Sequence, residues 1–306
     1  MRILVTTQMM IHDQKRFGEE LSSFGYTVDF VMNEQFMTEE QCLNLSATYD
    51  GWIAGDDEIT YSVIDHMLPY LKVISKWGTG IDSIEKEYAE SLGVKVMNSP
   101  GAFSDAVGEM AVAYLLSLTR GIVSTDRCVR GGFWPKKQYR TLVGMNVGFI
   151  GMGAIGNGAA SRLVNLGCNV HYSDPAAAVS SYKKVSTEEL FDLCDAVIIT
   201  SSLNDSTNGL VNRSLISRSK RGVIIINVGR GSIVVEEDLI WGLEEGIVLA
   251  AALDVYETEP LPISSRLLEF DNLILGSHNA NNTVDAVEYV HKNTIDQLSQ
   301  ELYKKT

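Results

Sequence analysis

The chain has 306 residues, 45% of them hydrophobic and 21% charged, with a formal net charge of −14. This suits a globular protein with one large or two ordinary cores, and two domains is the expectation. The acidic balance argues against a nucleic-acid partner, which needs a basic face. It does not exclude an anionic small substrate, because one local cation outweighs distant charges screened by salt.

The N-terminal "MRILVTTQMM" runs straight into a strand-like stretch at 2–7 and carries no long apolar run with a cleavage site, so no signal peptide is expected. Further apolar runs follow: "TVDFV" at 27–31, "GWIAG" at 51–55, "LKVIS" at 71–75 and "VKVMN" at 94–98. Helix-length segments such as "DQKRFGEELSSFG" at 13–25 separate them. This alternation predicts βαβ units and a parallel sheet covered on both faces. After the fourth run, Trp77 reads as pocket lining or sheet-edge filler, and Lys76 as a partner for a phosphate or second carboxylate or, more simply, as a solvated lysine. The breaker "SPG" at 99–101 opens a long helical pattern near 104–122, where we place a domain crossing. Its most apolar part, "MAVAYLLSLT" at 110–119, is too short and too polar at its ends to span a bilayer, so no membrane partner is expected.

A second series begins with "NVGFIG" at 146–151 and continues at 169–174, 196–200, 223–228, 249–255 and 272–276. Near-continuous Ile, Val and Leu mark strands buried on both faces. The segment 283–304 reads as a helix with no strand after it, able to pack back on the first half. The expected division is therefore 1–98 plus 281–306 against 99–280. Four cysteines, Cys42, Cys128, Cys168 and Cys194, show no C-x-x-C spacing. No metal site and no disulfide framework are expected, and a reduced cytoplasmic compartment fits.

"VGFIGMGAIGNG" carries G-x-G-x-x-G as Gly151, Gly153 and Gly156, after a strand and at the start of a helical pattern. The first glycine allows the tight turn, the second lets a pyrophosphate approach the backbone, and the third lets helix pack on sheet. The helix N-terminus then faces the anion. The next strand run ends in Asp174, eighteen residues after Gly156. A carboxylate there accepts hydrogen bonds from ribose hydroxyls and repels a 2′-phosphate, favouring NAD over NADP. Otherwise Asp174 is a turn residue before Pro175.

With these motifs in place, the chain resembles the D-isomer-specific 2-hydroxyacid dehydrogenases over nearly its whole length. The resemblance is carried by "SKWGTGIDSIE" (75–85), "NSPGAFSDAVGEMAVAYLL" (98–116), "GMNVGFIGMGAIG" (144–156), "INVGRGSIVVEEDLI" (226–240), "LDVYETEP" (253–260) and "GSHNANNT" (276–283). It implies two doubly wound α/β domains, a Rossmann NAD-binding domain and a flavodoxin-like substrate domain. It implies Arg230, Glu259 and His278 as the catalytic set. Gly151, Gly153, Ala154, Ile155, Gly156, Asp174, Val228 and Asp254 would contact the cofactor. Gly78, Thr79 and Gly80 would bind the substrate with Arg230 and His278. The expected reaction moves a hydride between NAD(H) and C2 of a D-2-hydroxy acid. Arg230 would fork onto the carboxylate and carbonyl oxygens, His278 would move the proton, and Glu259 would orient His278. A homodimer built partly through the helix near 104–122 is also implied.

Each residue has a plainer reading: Arg230 in a strand-end ion pair, Glu259 in a solvated turn, His278 in an ordinary loop. All three nevertheless follow predicted strands, at the carboxyl ends where such folds bind ligands. A competing class is an NAD(H)-sensing scaffold with little catalysis, for which the complete Arg-Glu-His set has no chemical need. The chain departs from the family around His278, with Ser277 before it and Asn279, Asn281 and Asn282 after it. The asparagines read either as partners of a polyhydroxy substrate or as caps of the helix that follows.

Overall fold

The computed structural model describes residues 1–177 and 181–304. The two expected domains also run over 178–180 and 305–306, which lie outside the described residues. The chain divides into two compact units, Met1–Ala102 with Val284–Thr306, and Phe103–Thr283.

The first unit holds five parallel strands: β1 (Arg2–Val5), β2 (Thr27–Phe30), β3 (Gly51–Ala54), β4 (Val73–Lys76) and β5 (Lys95–Met97). Their order is β2-β1-β3-β4-β5, the flavodoxin-like doubly wound order. Ile3, Leu4, Val5, Trp52, Ile53, Val73 and Ile74 are completely buried, as strands covered on both faces require. The Val284–Lys304 helix closes this unit with a buried stripe of His291, Thr294, Ile295, Leu298 and Leu302. That spacing of three and four residues is one face of a helix. The Ser75 hydroxyl on β4 donates to the Thr294 carbonyl at 2.9 Å.

The second unit holds seven parallel strands: β6 (Asn146–Ile150), β7 (Asn169–Ser173), β8 (Lys183–Lys184), β9 (Ala196–Ile199), β10 (Val223–Asn227), β11 (Val248–Leu253) and β12 (Leu273–Leu275). The order is β12-β11-β10-β9-β6-β7-β8. The chain winds outward from β6 in one direction and, from β9, in the other. The reversal between β6 and β9 makes a crevice at their carboxyl ends, where such sheets bind ligands. One core cluster of this unit takes Ile150, Val197, Ile199, Ile225, Ala251 and Leu253 from the strands, and their neighbours Val147, Phe149, Ile198 and Ile226 are buried as well.

The long helix expected near 104–122 is Ser104–Arg120, and a second helix follows it. Ser104–Arg120 ends at Gly121, whose φ of 59° is left-handed, and Ile122–Arg130 starts beyond it. A glycine in that conformation ends a helix because it alone adopts it without a Cβ clash. Among the described residues, no single helix is long and apolar enough to cross a membrane.

Candidate functional site

The turn after β6 is shaped by what its glycines exclude. Gly151 has φ 92°, and a Cβ there would lie 2.7 Å from the Ser201 backbone. A Cβ on Gly156 would lie 2.5 Å from the Gly151 carbonyl oxygen, whereas one on Gly153 would meet nothing within 4 Å. Gly153 is also the N-cap of the Ala154–Asn165 helix, with no side-chain cap. The first-turn amides at Ala154 and Ile155 thus border open space, the donor set a pyrophosphate takes. Asp174, just past β7, accepts from the amides of Met152 (2.7 Å), Ala176 (2.8 Å) and Ala177 (2.9 Å). An ionised carboxylate has about four acceptor positions, so this one ties the turn to the strand end and retains capacity for a ribose hydroxyl. Val228 is buried just past β10, its amide donating to the Ile199 carbonyl.

Three neighbouring strand ends carry the other candidates. Past β10, buried Asn227 clamps the turn that bears Arg230: its amide nitrogen donates to the Arg230 carbonyl at 2.9 Å, and its oxygen accepts from Gly229 at 3.1 Å. The Arg230 guanidinium donates to the Gly229 carbonyl at 3.0 Å. Past β11, Glu259 accepts the Tyr256 amide on Oε1 at 3.0 Å and meets His278 Nδ1 with Oε2 at 2.7 Å. Past β12, His278 has φ 53°, the one positive φ outside glycine among the described residues. Such a conformation in a non-glycine persists only where its surroundings over-determine it.

Asp254 supplies those surroundings. Its carbonyl accepts the His278 amide at 2.7 Å, and its Oδ2 accepts the Ala280 amide at 2.9 Å. The Tyr256 hydroxyl donates to the Gly276 carbonyl at 2.6 Å. Burial, and then the nearby Asp254 carboxylate, push the phenols of Tyr114 and Tyr256 up, so both remain protonated donors. Glu259, His278 and Asp254 are therefore one hydrogen-bonded set, with Arg230 on the adjacent strand-end turn.

Gly78, Thr79 and Gly80 belong to the other unit, past β4. The Gly78 carbonyl accepts the Ser99 amide at 2.8 Å, and the Thr79 carbonyl accepts the Asn98 side-chain amide at 2.6 Å. Lys76 is not the solvated lysine its sequence context suggests. It is 3% exposed, donates to the Trp77 carbonyl at 2.9 Å and pairs with Asp56 at 3.0 Å. Burying an ammonium requires such partners. Trp77 is core, its indole N–H donating to His291 Nδ1 at 3.0 Å. Asn282 donates side chain to side chain to Asn279 at 2.7 Å, folding their turn on itself. Sequence reasoning missed Tyr114 and Asn227, which sit in apolar runs that read as core, and Tyr256, whose motif drew attention only to Asp254 and Glu259.

A family model described as the NAD-binding domain of D-isomer-specific 2-hydroxyacid dehydrogenases matches residues 112–280. The chain is 34% identical over 262 residues to the glyoxylate reductase of Thermofilum pendens, covering 80% of this chain and 77% of that protein. It is 34% identical to the hydroxypyruvate reductase of Thermotoga maritima, covering 76% and 78%. A solved protein from Thermus thermophilus superposes with a TM-score of 0.88 at 28% identity, over 99% of this chain and 97% of that one.

Proposed function

The chain belongs to the D-isomer-specific 2-hydroxyacid dehydrogenase family and is an NAD-dependent oxidoreductase, and from that premise we propose which residues do the chemistry on which acid. The reaction is hydride exchange at C2 of a D-2-hydroxy acid and its 2-oxo counterpart. When bound, NAD(H) supplies the hydride in reduction and receives it in oxidation. Arg230 grips the substrate carboxylate and carbonyl oxygen with its planar fork. The backbone amides at Gly78, Thr79 and Gly80 bind the carboxylate. His278 in its protonated form gives a proton to the oxygen that gains charge; run in reverse, the neutral ring takes it from the alcohol.

The observation that carries this reading is the 2.7 Å contact between His278 Nδ1 and a Glu259 carboxylate whose other oxygen is fixed by the Tyr256 amide. It commits Nδ1 to Glu259, so Nε2 is the nitrogen that moves the proton. The carboxylate orients the ring. Gly151, Gly153, Ala154, Ile155 and Gly156 cradle the cofactor pyrophosphate, Asp174 takes the ribose, and Val228 and Asp254 border the nicotinamide. The Asp174 charge favours NAD over NADP. The working form is a homodimer in the cytoplasm, where the four cysteines, all free thiols in the structure, stay reduced.

Nicotinamide absorbance followed with NADH and NADPH against a panel of 2-oxo acids tests this. Glyoxylate and hydroxypyruvate head the panel, with pyruvate, hydroxypyruvate phosphate, branched and sugar-derived acids behind them. We expect turnover with NADH on at least one member, falling on the order of 10²- to 10⁴-fold in His278→Ala, the range a positioned acid–base contributes. An unaffected His278→Ala rate removes the proton-transfer assignment. Faster turnover with NADPH removes the role given to Asp174.

A further inference from the structure

Tyr114 lies in the middle of the Ser104–Arg120 helix and is 8% exposed. A phenylalanine or leucine would fill that place equally well by packing; a buried phenol needs a partner for its hydroxyl. Its partner is Asp254 Oδ1, at 2.9 Å. Asp254 is 2% exposed; its own amide donates to the Asn227 carbonyl, and the other bonds its oxygens accept come from the loop after β12, Oδ2 from the Ala280 amide and the carbonyl oxygen from the His278 amide. The chain passes close over this contact. A Cβ on Gly276 would fall 2.2 Å from Asp254 Oδ1 and 2.4 Å from the Tyr114 hydroxyl.

The left-handed backbone of His278 is thus held between two amides anchored on one buried aspartate, and the third bond that aspartate's oxygens accept comes from a helix. A single carboxylate rotamer satisfies the Tyr114 hydroxyl and the Ala280 amide together. Without the hydroxyl, Oδ1 is buried with one donor fewer, and the carboxylate has reason to turn toward another donor and release Ala280.

We propose that Tyr114 is a positioning residue: through Asp254 it holds the 276–280 turn in the conformation that presents His278 for proton transfer. This rests on the reading of His278 given above.

The test compares Tyr114→Phe and Tyr114→Leu with wild type, using the full chain. Amide hydrogen exchange at Ala280 is measured without cofactor, and kcat, KM and the NADH Kd are measured with whichever 2-oxo acid turns over. The expected result for Tyr114→Phe is an Ala280 exchange rate about tenfold faster, the factor corresponding to one net hydrogen bond. We expect kcat to fall about as much, with KM and the NADH Kd little changed. Tyr114→Leu should match it in kcat while melting lower. In an Asp254→Ala background, where the side chain that anchors Ala280 is gone, Tyr114→Phe should add nothing to the exchange rate, because the two act as one unit. Wild-type exchange and kcat in Tyr114→Phe, with a melting loss confined to Tyr114→Leu, would overturn the proposal and leave a packing role. A rise in KM at constant kcat would overturn it too. His278→Ala is the control: turnover surviving there defeats the underlying reading, and the Ala280 exchange rate alone then decides whether Tyr114 holds the turn.

Discussion

His291 is 4% exposed, accepts the Trp77 indole N–H at 3.0 Å and stands 4.6 Å from the Phe17 ring, centre to centre. Burial pushes its pKa down to about 4, against the upward pull of Glu288, which is itself bonded to Arg16 at 2.7 Å. The unfolded value is about 6.5. Between those pH values the unfolded chain carries one more proton than the folded one, so stability rises with pH across the window. It is lost on acidification from pH 7 toward 4, by up to roughly 3 kcal/mol. His291→Gln, which keeps an acceptor for Trp77, should flatten this part of the dependence in melts at pH 7 and 4.5; parallel losses in both proteins would refute it. The same scale shows what a sequence conceals. The strand-end positions of Arg230, Glu259 and His278 are legible because each motif is local to one strand and the turn after it. Tyr114 is not, because its partner is 140 residues away and a phenol inside "MAVAYLLSLT" looks like any core residue. The burial of Lys76 is hidden for the same reason: nothing near it in sequence announces its pairing with Asp56.

The strands are the most legible elements, because a strand buried on both faces must be written almost wholly in apolar residues. Eleven of them lie, to within a residue at one end, inside apolar runs visible in the sequence, while β8, two lysines long, has no such run and is invisible. Helix ends are harder. The pattern near 104–122 runs two residues past the observed end, since Ile122 is still apolar, but the backbone turns left-handed at Gly121. A Cβ on Gly121 would lie 2.0 Å from the Tyr139 ring, which is at the protein surface and free to swing outward. Gly121→Ala should therefore cost chiefly the left-handed backbone, about 1–2 kcal/mol, and lower the melting temperature by roughly 2–8 °C. An unchanged melt would mean that the break between the two helices is not enforced there.

At the scale of the molecule, fold class follows from the alternation of strands and helices, and the strand orders show how it is realised: 2-1-3-4-5 in one sheet and a reversal between β6 and β9 in the other. Neither order can be read from apolar runs, which say that a strand exists but not which neighbour it takes. The proposed homodimer has a surface to use. Just after the Ile122–Arg130 helix the adjacent Phe133 and Trp134 are 71% and 76% exposed, and exposed apolar patches mark interaction sites. Light scattering should find a wild-type dimer that Phe133→Ser with Trp134→Ser converts to monomer; a wild-type monomer at micromolar concentration would end the idea. The last consequence comes from the helix Val284–Lys304, which belongs with strands made at the other end of the chain. Domains fold as units in the order the ribosome releases them. The nucleotide-binding unit, continuous from Phe103 to Thr283, can assemble during synthesis. Strands β1 to β5 leave the ribosome before that helix and wait for it, so of the two units theirs is the one that depends longer on protection from aggregation.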